Sequence, residues 1–230
     1  MSKTLFITGA NRGIGLALTR AYLSDGWQVM ATCRDPESAN ELTALIEEFD
    51  KLEIFALDVT DYDAVADLSN ELGDADFDLF INNAGYYGPK GYGFGETDVD
   101  EWRKVFEINT IAPLKLAEAF YPQLKSSQGL IANMSSKMGS MEDNGSGGSY
   151  IYRSSKAALN SVTKSLSLDG LVDGVNAVAL HPGWVQTDMG GPNALITPLE
   201  SATGLKYVLD NFSEEQNGGF FDPKGNSIPW

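Results

Sequence analysis

The stretch Thr4-Leu5-Phe6-Ile7-Thr8-Gly9-Ala10-Asn11-Arg12-Gly13-Ile14-Gly15 decides how the rest of the chain is read. Its first part is a short apolar run rich in β-formers, consistent with a buried strand. Glycines then stand at 9, 13 and 15. Gly9 permits a tight bend, and Gly13 and Gly15 permit close approach to the backbone and tight helix-to-sheet packing. Helical spacing follows at once. A strand that turns through glycines into a helix presents N–H groups and the positive end of the helix dipole, which is a site for phosphate. The spacing is not G-x-G-x-x-G. Nor is it a P-loop, since no Gly-Lys-Ser/Thr follows. In this context the turn points to a dinucleotide held by Gly9, Asn11, Arg12, Gly13, Ile14 and Gly15.

Outward from this turn, β-rich runs alternate with helical patterns. The strand candidates are Thr4–Thr8, Gln28–Cys33, Glu53–Leu57, Leu79–Asn82, Leu130–Met134 and Asn176–Leu180, with a short seventh at Gly219–Phe221. Helices are expected over about 13–25, 37–49, 61–72, 98–122, 152–169 and 199–212, with Asp61 and Asp98 as caps of the third and fourth. Such alternation with apolar strands predicts an α/β fold: one doubly wound domain over 1–230, with a parallel sheet of about seven strands and helices on both faces. Two long glycine-rich stretches, Tyr86–Gly95 and Lys137–Ser149, follow strand ends where such sheets bind ligands.

Several classes are disfavoured. No apolar run of eighteen residues exists, and the N-terminus lacks the pattern of a secretory signal, so a cytoplasmic protein is expected. The single cysteine, Cys33, excludes an intramolecular disulfide and any multi-cysteine metal site. The net charge of −16 argues against nucleic acid and against anionic membranes as partners. It also makes any cation near the glycine turn informative.

At the end of the second strand, an NAD-binding protein usually places an acid for the ribose hydroxyls. Here Cys33 is followed by Arg34. A guanidinium fits a 2′-phosphate, and Arg12 adds a second cation. Asp35 stands two places late, before Pro36, and is read as part of the approach to the next helix. The expected cofactor is NADP(H).

Tyr152 and Lys156 are four apart on an expected helix and share a face. An ammonium beside a phenol favours the phenolate and is expected to lower its pKa. A phenol so tuned can give a proton to a carbonyl oxygen, and Ser136 can hold that oxygen by a hydrogen bond. Tyr150 is a rival phenol without a lysine four residues on, and is expected in or near the preceding loop.

Taken together, Thr8-Gly9-x-x-x-Gly13-x-Gly15, Asp58-Val59, Asn82-Asn83-Ala84-Gly85, Asn109, Ser136, Tyr152-x-x-x-Lys156 and Pro182-Gly183 stand in an order that resembles the short-chain dehydrogenase/reductase family over essentially the whole chain. The stretch Ser135–Tyr152 and the end Ile228-Pro229-Trp230 look most similar to its C-factor and Sniffer carbonyl-reductase branch. The resemblance implies a Rossmann-type fold and roles residue by residue. Tyr152 would be the general acid, and Lys156 would tune it and hold the nicotinamide ribose. Ser136 would orient the carbonyl, and Asn109 would fix a water of the proton relay. Asp58, with Val59 beside it, would contact adenine. Asn83, Ala84 and Gly85 would line the cofactor, and Pro182, Gly183, Val185 and Thr187 would embrace its nicotinamide end. The interval from Ser136 to Tyr152 is longer than the family's common spacing, which leaves Ser135, Ser136 and Ser140 as alternatives.

The expected activity is NADPH-dependent reduction of an aldehyde, ketone or quinone. The alternatives are a dinucleotide-binding signalling protein and an NADP-dependent alcohol dehydrogenase running the same site in reverse. A homo-oligomer, dimer or tetramer, is expected: helices 98–122 and 152–169 suit the helix-pair interface that the resemblance implies for dimers, the alternative being that their apolar faces are core. His181, the only histidine, is read as structural. Tyr86, Tyr87, Tyr92, Phe94, Trp184 and Met189 either line an apolar pocket or pack the loops. Trp184–Thr197 is short for the family's substrate loop, which suggests an open site or one completed by another subunit.

Overall fold

The computed structural model describes residues 3–73, 75–91 and 93–230. Seven strands form one all-parallel sheet in the order β3-β2-β1-β4-β5-β6-β7. They are β1 Thr4–Thr8, β2 Gln28–Cys33, β3 Leu52–Ala56, β4 Leu79–Asn82, β5 Leu130–Met134, β6 Asn176–Leu180 and β7 Phe220–Phe221. The doubly wound expectation holds. The order runs outward in both directions from β1 and β4, so the chain switches direction between them, and a crevice forms at that point beyond the strand ends.

Strand alternation sends side chains to two faces. Leu5, Ile7, Val29 and Ala31 pack beneath α1 (Gly13–Ser24) and α9 (Pro198–Asp210). Phe6 and Phe80 face the other side, stacked at 4.9 Å, and meet Phe120 beneath α4 (Tyr62–Glu71) and α6 (Ala112–Ala119). Burial on both faces explains why β1 and β5 are buried along their full lengths.

The helices differ from expectation where local chemistry intervenes. The expected helix 37–49 is two short pieces, α2 Asn40–Thr43 and α3 Leu45–Glu48. The expected helix 98–122 is broken. It runs as α5 (Val99–Phe106), a π turn over Glu107–Ile111, then α6, and α7 (Tyr121–Ser127) follows. Pro113 accounts for the π turn: it has no N–H to give the Asn109 carbonyl four residues earlier. The expected helix 152–169 begins two residues sooner, as α8 Tyr150–Asp169, so Tyr150 is helical and not in the preceding loop. Among the described residues, no helix is long and apolar enough to cross a membrane.

Candidate active site

The site is built on one buried face of α8. Tyr152, Lys156, Asn160 and Thr163 are all buried there, at spacings that follow the helical repeat. This polar stripe is tied to the sheet at three levels. Thr163 Oγ1 accepts from Asn133 Nδ2 at 2.9 Å, and Asn133 Oδ1 in turn accepts from Asn82 at 2.8 Å. Ser135 Oγ donates to Asn160 Oδ1 at 2.5 Å. Lys156 Nζ donates to the Met134 carbonyl at 2.7 Å. These bonds set the height and rotation of α8 over the ends of β4 and β5, and so place Tyr152 and Lys156 beside the crevice.

The same contacts separate the three serines. Ser135 is consumed by Asn160. Ser140 Oγ donates to the Trp230 carbonyl and accepts from Asp143 N. Ser136 Oγ accepts from Met138 N at 3.2 Å and stands close enough to the Tyr152 phenol to favour its ionised form. The residues that lengthen the Ser136–Tyr152 interval form an excursion held from outside. Met141 and Glu142 donate their N–H groups to the Trp230 carbonyl at 3.1 Å, and Arg153 holds Met138 O and Ser146 Oγ.

Lys156 Nζ stands 5.8 Å from the Tyr152 ring centre. The electrostatics differ from the sequence reading. Burial is the largest influence on the phenol and raises its pKa well above the ordinary value, with Ser136 opposing and the Tyr87 phenol adding to the rise. Burial also lowers the Lys156 amine to about 7. Desolvation penalises the charged form of each. The expected lowering of the phenol by an ammonium is therefore outweighed in this environment by the burial of the phenol itself.

Asn109 lies in the π turn and is fully buried. Its Oδ1 accepts from Tyr86 N at 2.8 Å, and its Nδ2 donates to Tyr86 O at 2.8 Å and Ser155 Oγ at 3.1 Å. The side chain braces the β4 loop against α8. The group that loses its α-helical partner is its main-chain carbonyl. Gly85 sits where Asn109 Oδ1 and Lys156 Nζ converge: a Cβ there would lie 3.4 Å from the first and 3.7 Å from the second.

At the other end of the crevice, Gly9 and Gly13 adopt left-handed φ of +64° and +57°. A Cβ on Gly15 would stand 2.3 Å from the Gly9 carbonyl and 2.5 Å from Asn83 Nδ2. Asn83 clamps the turn by donating to Thr8 O and Gly9 O, and Thr8 Oγ1 accepts from the N–H groups of Asn83 and Ala84. Thus Asn83 and Ala84 shape the glycine turn, while Asn11 and Ile14 stand half-buried within it. Helices α4, α5 and α9 have side-chain caps from Asp61, Asp98 and Thr197, whereas α1, with Arg12 at its N-cap, has none, as is also true of α6, α7 and α8. The first N–H groups of α1 have no intrahelical acceptors, so a phosphate fits there.

Arg34 is exposed just beyond β2, and its charge helps hold the Asp58 carboxyl low, after the larger effect of the Thr60 N–H. Asp58 Oδ1 accepts from Thr60 N and Oγ1, while Val59 beside it is buried. Asp35 accepts from Ser38 N in a turn and is not directed by β2 as a ribose ligand would be. Arg12 is engaged by Asp188 in an exposed ion pair. The segment after β6 closes on the glycine turn here: a Cβ on Gly13 would meet Thr187 Cγ2 at 3.1 Å. Pro182 O accepts from Ser201, Gly183 has φ +89°, and Val185 is buried in a bridge with Ile196.

A cavity of about 240 Å³ opens beside Tyr152, walled by Tyr87, Tyr150, Ile151 and Ser149 with Lys90 at its edge. The Tyr87 ring lies 4.5 Å from that of Tyr152, and its hydroxyl is 3.3 Å from Ser149 Oγ. Of the aromatic residues weighed in the sequence, only Tyr87 lines this cavity among those described. Tyr86 bonds Glu101, Phe94 is 91% exposed against Tyr150, and Trp184 bonds Gly190 O. Met189 is partly exposed, and Tyr92 lies outside the described residues. Tyr150 was missed as a wall because its place on the helix was read as loop. His181 is half-buried, and its pKa is pushed down to about 4, chiefly by desolvation.

Comparisons with known proteins agree with this geometry. A family model described as short chain dehydrogenase matches residues 3–194. The C-signal protein of Myxococcus xanthus is 43% identical over 156 residues, which is 66% of this chain and 92% of that protein. The Drosophila melanogaster carbonyl reductase Sniffer superposes with a TM-score of 0.95 at 35% identity, covering 100% of both chains. An NADPH-bound carbonyl reductase from chicken fatty liver superposes with a TM-score of 0.92 at 38% identity, over 100% of this chain and 99% of that one. The sheet order, the glycine turn and the model match over most of the length lead to one conclusion: this chain belongs to the short chain dehydrogenase family.

Proposed function

We propose that the chain is an NADPH-dependent carbonyl reductase acting on an aldehyde, ketone or quinone. The observation that carries this reading is the polar face of α8, which brings the Tyr152 hydroxyl beside Ser136 with Lys156 at hand. A regulatory binder has no need of a proton donor held this way. The NADPH-bound carbonyl reductase at 38% identity supports the choice of cofactor. So do the uncapped start of α1 and the exposed Arg34, which suit a pyrophosphate and a 2′-phosphate. When bound, NADPH supplies the hydride.

The chain's own residues hold the substrate and move the proton. Ser136 Oγ donates to the carbonyl oxygen. Tyr152, kept protonated by burial, gives its proton to that oxygen as negative charge gathers there. Lys156 has three donors, one of them spent on Met134 O. It compensates the phenolate left behind and holds a ribose hydroxyl. The Asn109 main-chain carbonyl, released by Pro113, accepts from a water that returns the proton. In the oxidative direction the Tyr152 phenolate, formed once its proton has left, acts as base.

The identity to C-signal favours a second reading, a dinucleotide-binding signalling protein. A panel of carbonyls assayed by NADPH oxidation separates the two: turnover is expected, and none across aldehydes, ketones and quinones overturns the reductase reading. In the same assay NADPH is expected to be preferred to NADH. Arg34→Ala should weaken NADPH binding by about 1.5–3 kcal/mol, the scale of a charge-assisted hydrogen bond, and spare NADH. Equal wild-type affinity for both would remove the 2′-phosphate role of Arg34.

A further inference from the structure

We infer that the preferred substrates are small aromatic carbonyl compounds bearing a carboxylate or similar anionic group, with Lys90 as the anchor for that group. The inference rests on the reductase reading and deepens it.

Three features of the cavity beside Tyr152 lead there. The first is shape. Tyr87 leans on the Tyr152 ring at 4.5 Å and 30°, and its hydroxyl is kept near Ser149 Oγ, so this wall is held in place. Tyr150 supplies a second ring to the lining. Aromatic walls suit a flat, unsaturated guest, which can stack offset or edge-on.

The second is size. At about 240 Å³ the cavity lies below the range that encloses a drug-sized molecule. It suits a guest of one or two rings whose far end reaches solvent.

The third is charge. The whole chain carries 32 acidic residues against 16 lysines and arginines. Yet the described residues lining this cavity include no carboxylate and a single cation, Lys90. Lys90 is exposed and, like Lys3, Lys51, Lys104, Lys164 and Lys224, makes no ion pair among the described residues; what sets it apart is its place in the lining of this cavity. A cavity lining that holds one ammonium beside aromatic rings and, among the described residues, no carboxylate is a local exception in a chain of net charge −16. It attracts an anion on a substrate whose carbonyl is at Tyr152, and the surrounding acidic surface repels anions that cannot reach it. Proton transfer and hydride delivery are unchanged by this contact. Lys90 acts on binding alone.

The test compares 4-formylbenzoate with its neutral methyl ester, measured by NADPH oxidation at low and at high salt, for wild type, Lys90→Met and Lys90→Glu. For wild type at low salt, kcat/KM for the acid is expected to exceed that for the ester about fivefold, the scale of an exposed ion pair. The difference should appear in KM, and should shrink in high salt. Lys90→Met should bring the acid-to-ester ratio near one, and Lys90→Glu should invert it. If the ester is reduced but the acid is no better in wild type, or if the ratio survives in Lys90→Met, the anionic-substrate inference is overturned and the reductase reading stands. If neither aldehyde is reduced while another carbonyl of the panel is, the anionic-substrate inference falls and the reductase reading stands; no turnover across the whole panel overturns both.

Discussion

Tyr152 and Lys156 are each buried at a cost to their charged forms, and that cost has consequences for catalysis. The raised pKa of Tyr152 keeps the phenol protonated across the working range, which suits an acid in reduction. Lys156 titrates near 7. Below that pH its ammonium compensates the phenolate that forms as the proton leaves, and above it the amine is neutral. The turnover number for carbonyl reduction is therefore expected to fall as pH rises through about 7. A profile of kcat flat between pH 6 and 9 would contradict this assignment. Tyr152→Phe removes the hydroxyl and keeps the ring that Tyr87 packs on. It should lower kcat by about 10²–10⁴, the range of general acid catalysis, with cofactor affinity little changed. Tyr150→Phe should stay within several-fold of wild type, since its ring forms the wall and its hydroxyl has no lysine one turn on. Steady-state kinetics of the two variants with one carbonyl decide the matter, and a near-normal kcat for Tyr152→Phe would move the proton donor elsewhere.

Elements act here as carriers of position. Helix α8 holds its site residues because Asn160 and Thr163, one and two turns beyond Lys156, bond to β5 and the residue after it. The π turn sets Asn109 where its side chain spans Tyr86 and Ser155. The glycine turn depends on close approach: Gly15 abuts the Gly9 carbonyl and Asn83 Nδ2. Gly15→Ala must push these apart, an overpacking cost of about 1–3 kcal/mol, and it also distorts the start of α1. A lowered melting temperature and NADPH affinity reduced at least about tenfold, the equivalent of 1.4 kcal/mol, are expected. Gly145→Ala is the control, since a Cβ there meets nothing within 4 Å. If the two variants bind NADPH alike, the turn does not cradle the phosphates.

At the scale of the whole molecule, the crevice is assembled from distant parts of the chain. The glycine turn meets Thr187 and Asp188, and Gly85 lies beside Asn109 and Lys156. The excursion before α8 is tied down by Trp230, whose ring also stacks on Phe220 at 5.6 Å. A ligand that bridges these parts binds only the folded state. NADPH at a hundredfold excess over its Kd should stabilise the protein by roughly 2.7 kcal/mol, seen as a rise in melting temperature. No rise with saturating NADPH, NADP, NADH or NAD would remove the dinucleotide site.

The sequence by itself determined the sheet, the family resemblance and the residues to look for. Strand periodicity and glycine spacing are local signals: burial on both faces calls for mostly apolar residues in β1 and β5, and a left-handed bend calls for glycine at 9 and 13. Pro113, four residues after Asn109, was also a readable sign that the expected helix 98–122 would break, although that stretch was read as continuous. The tertiary structure alone decided the rest. It separated Ser136 from Ser135 and Ser140, because that choice depends on Asn160 and Trp230, which lie 25 and 90 residues away from their serine partners. It placed Tyr150 in the cavity wall. It also set burial above the expected influence of Lys156 on Tyr152, because spacing along a helix says which groups are neighbours, whereas the desolvation that governs their charge comes from everything packed around them.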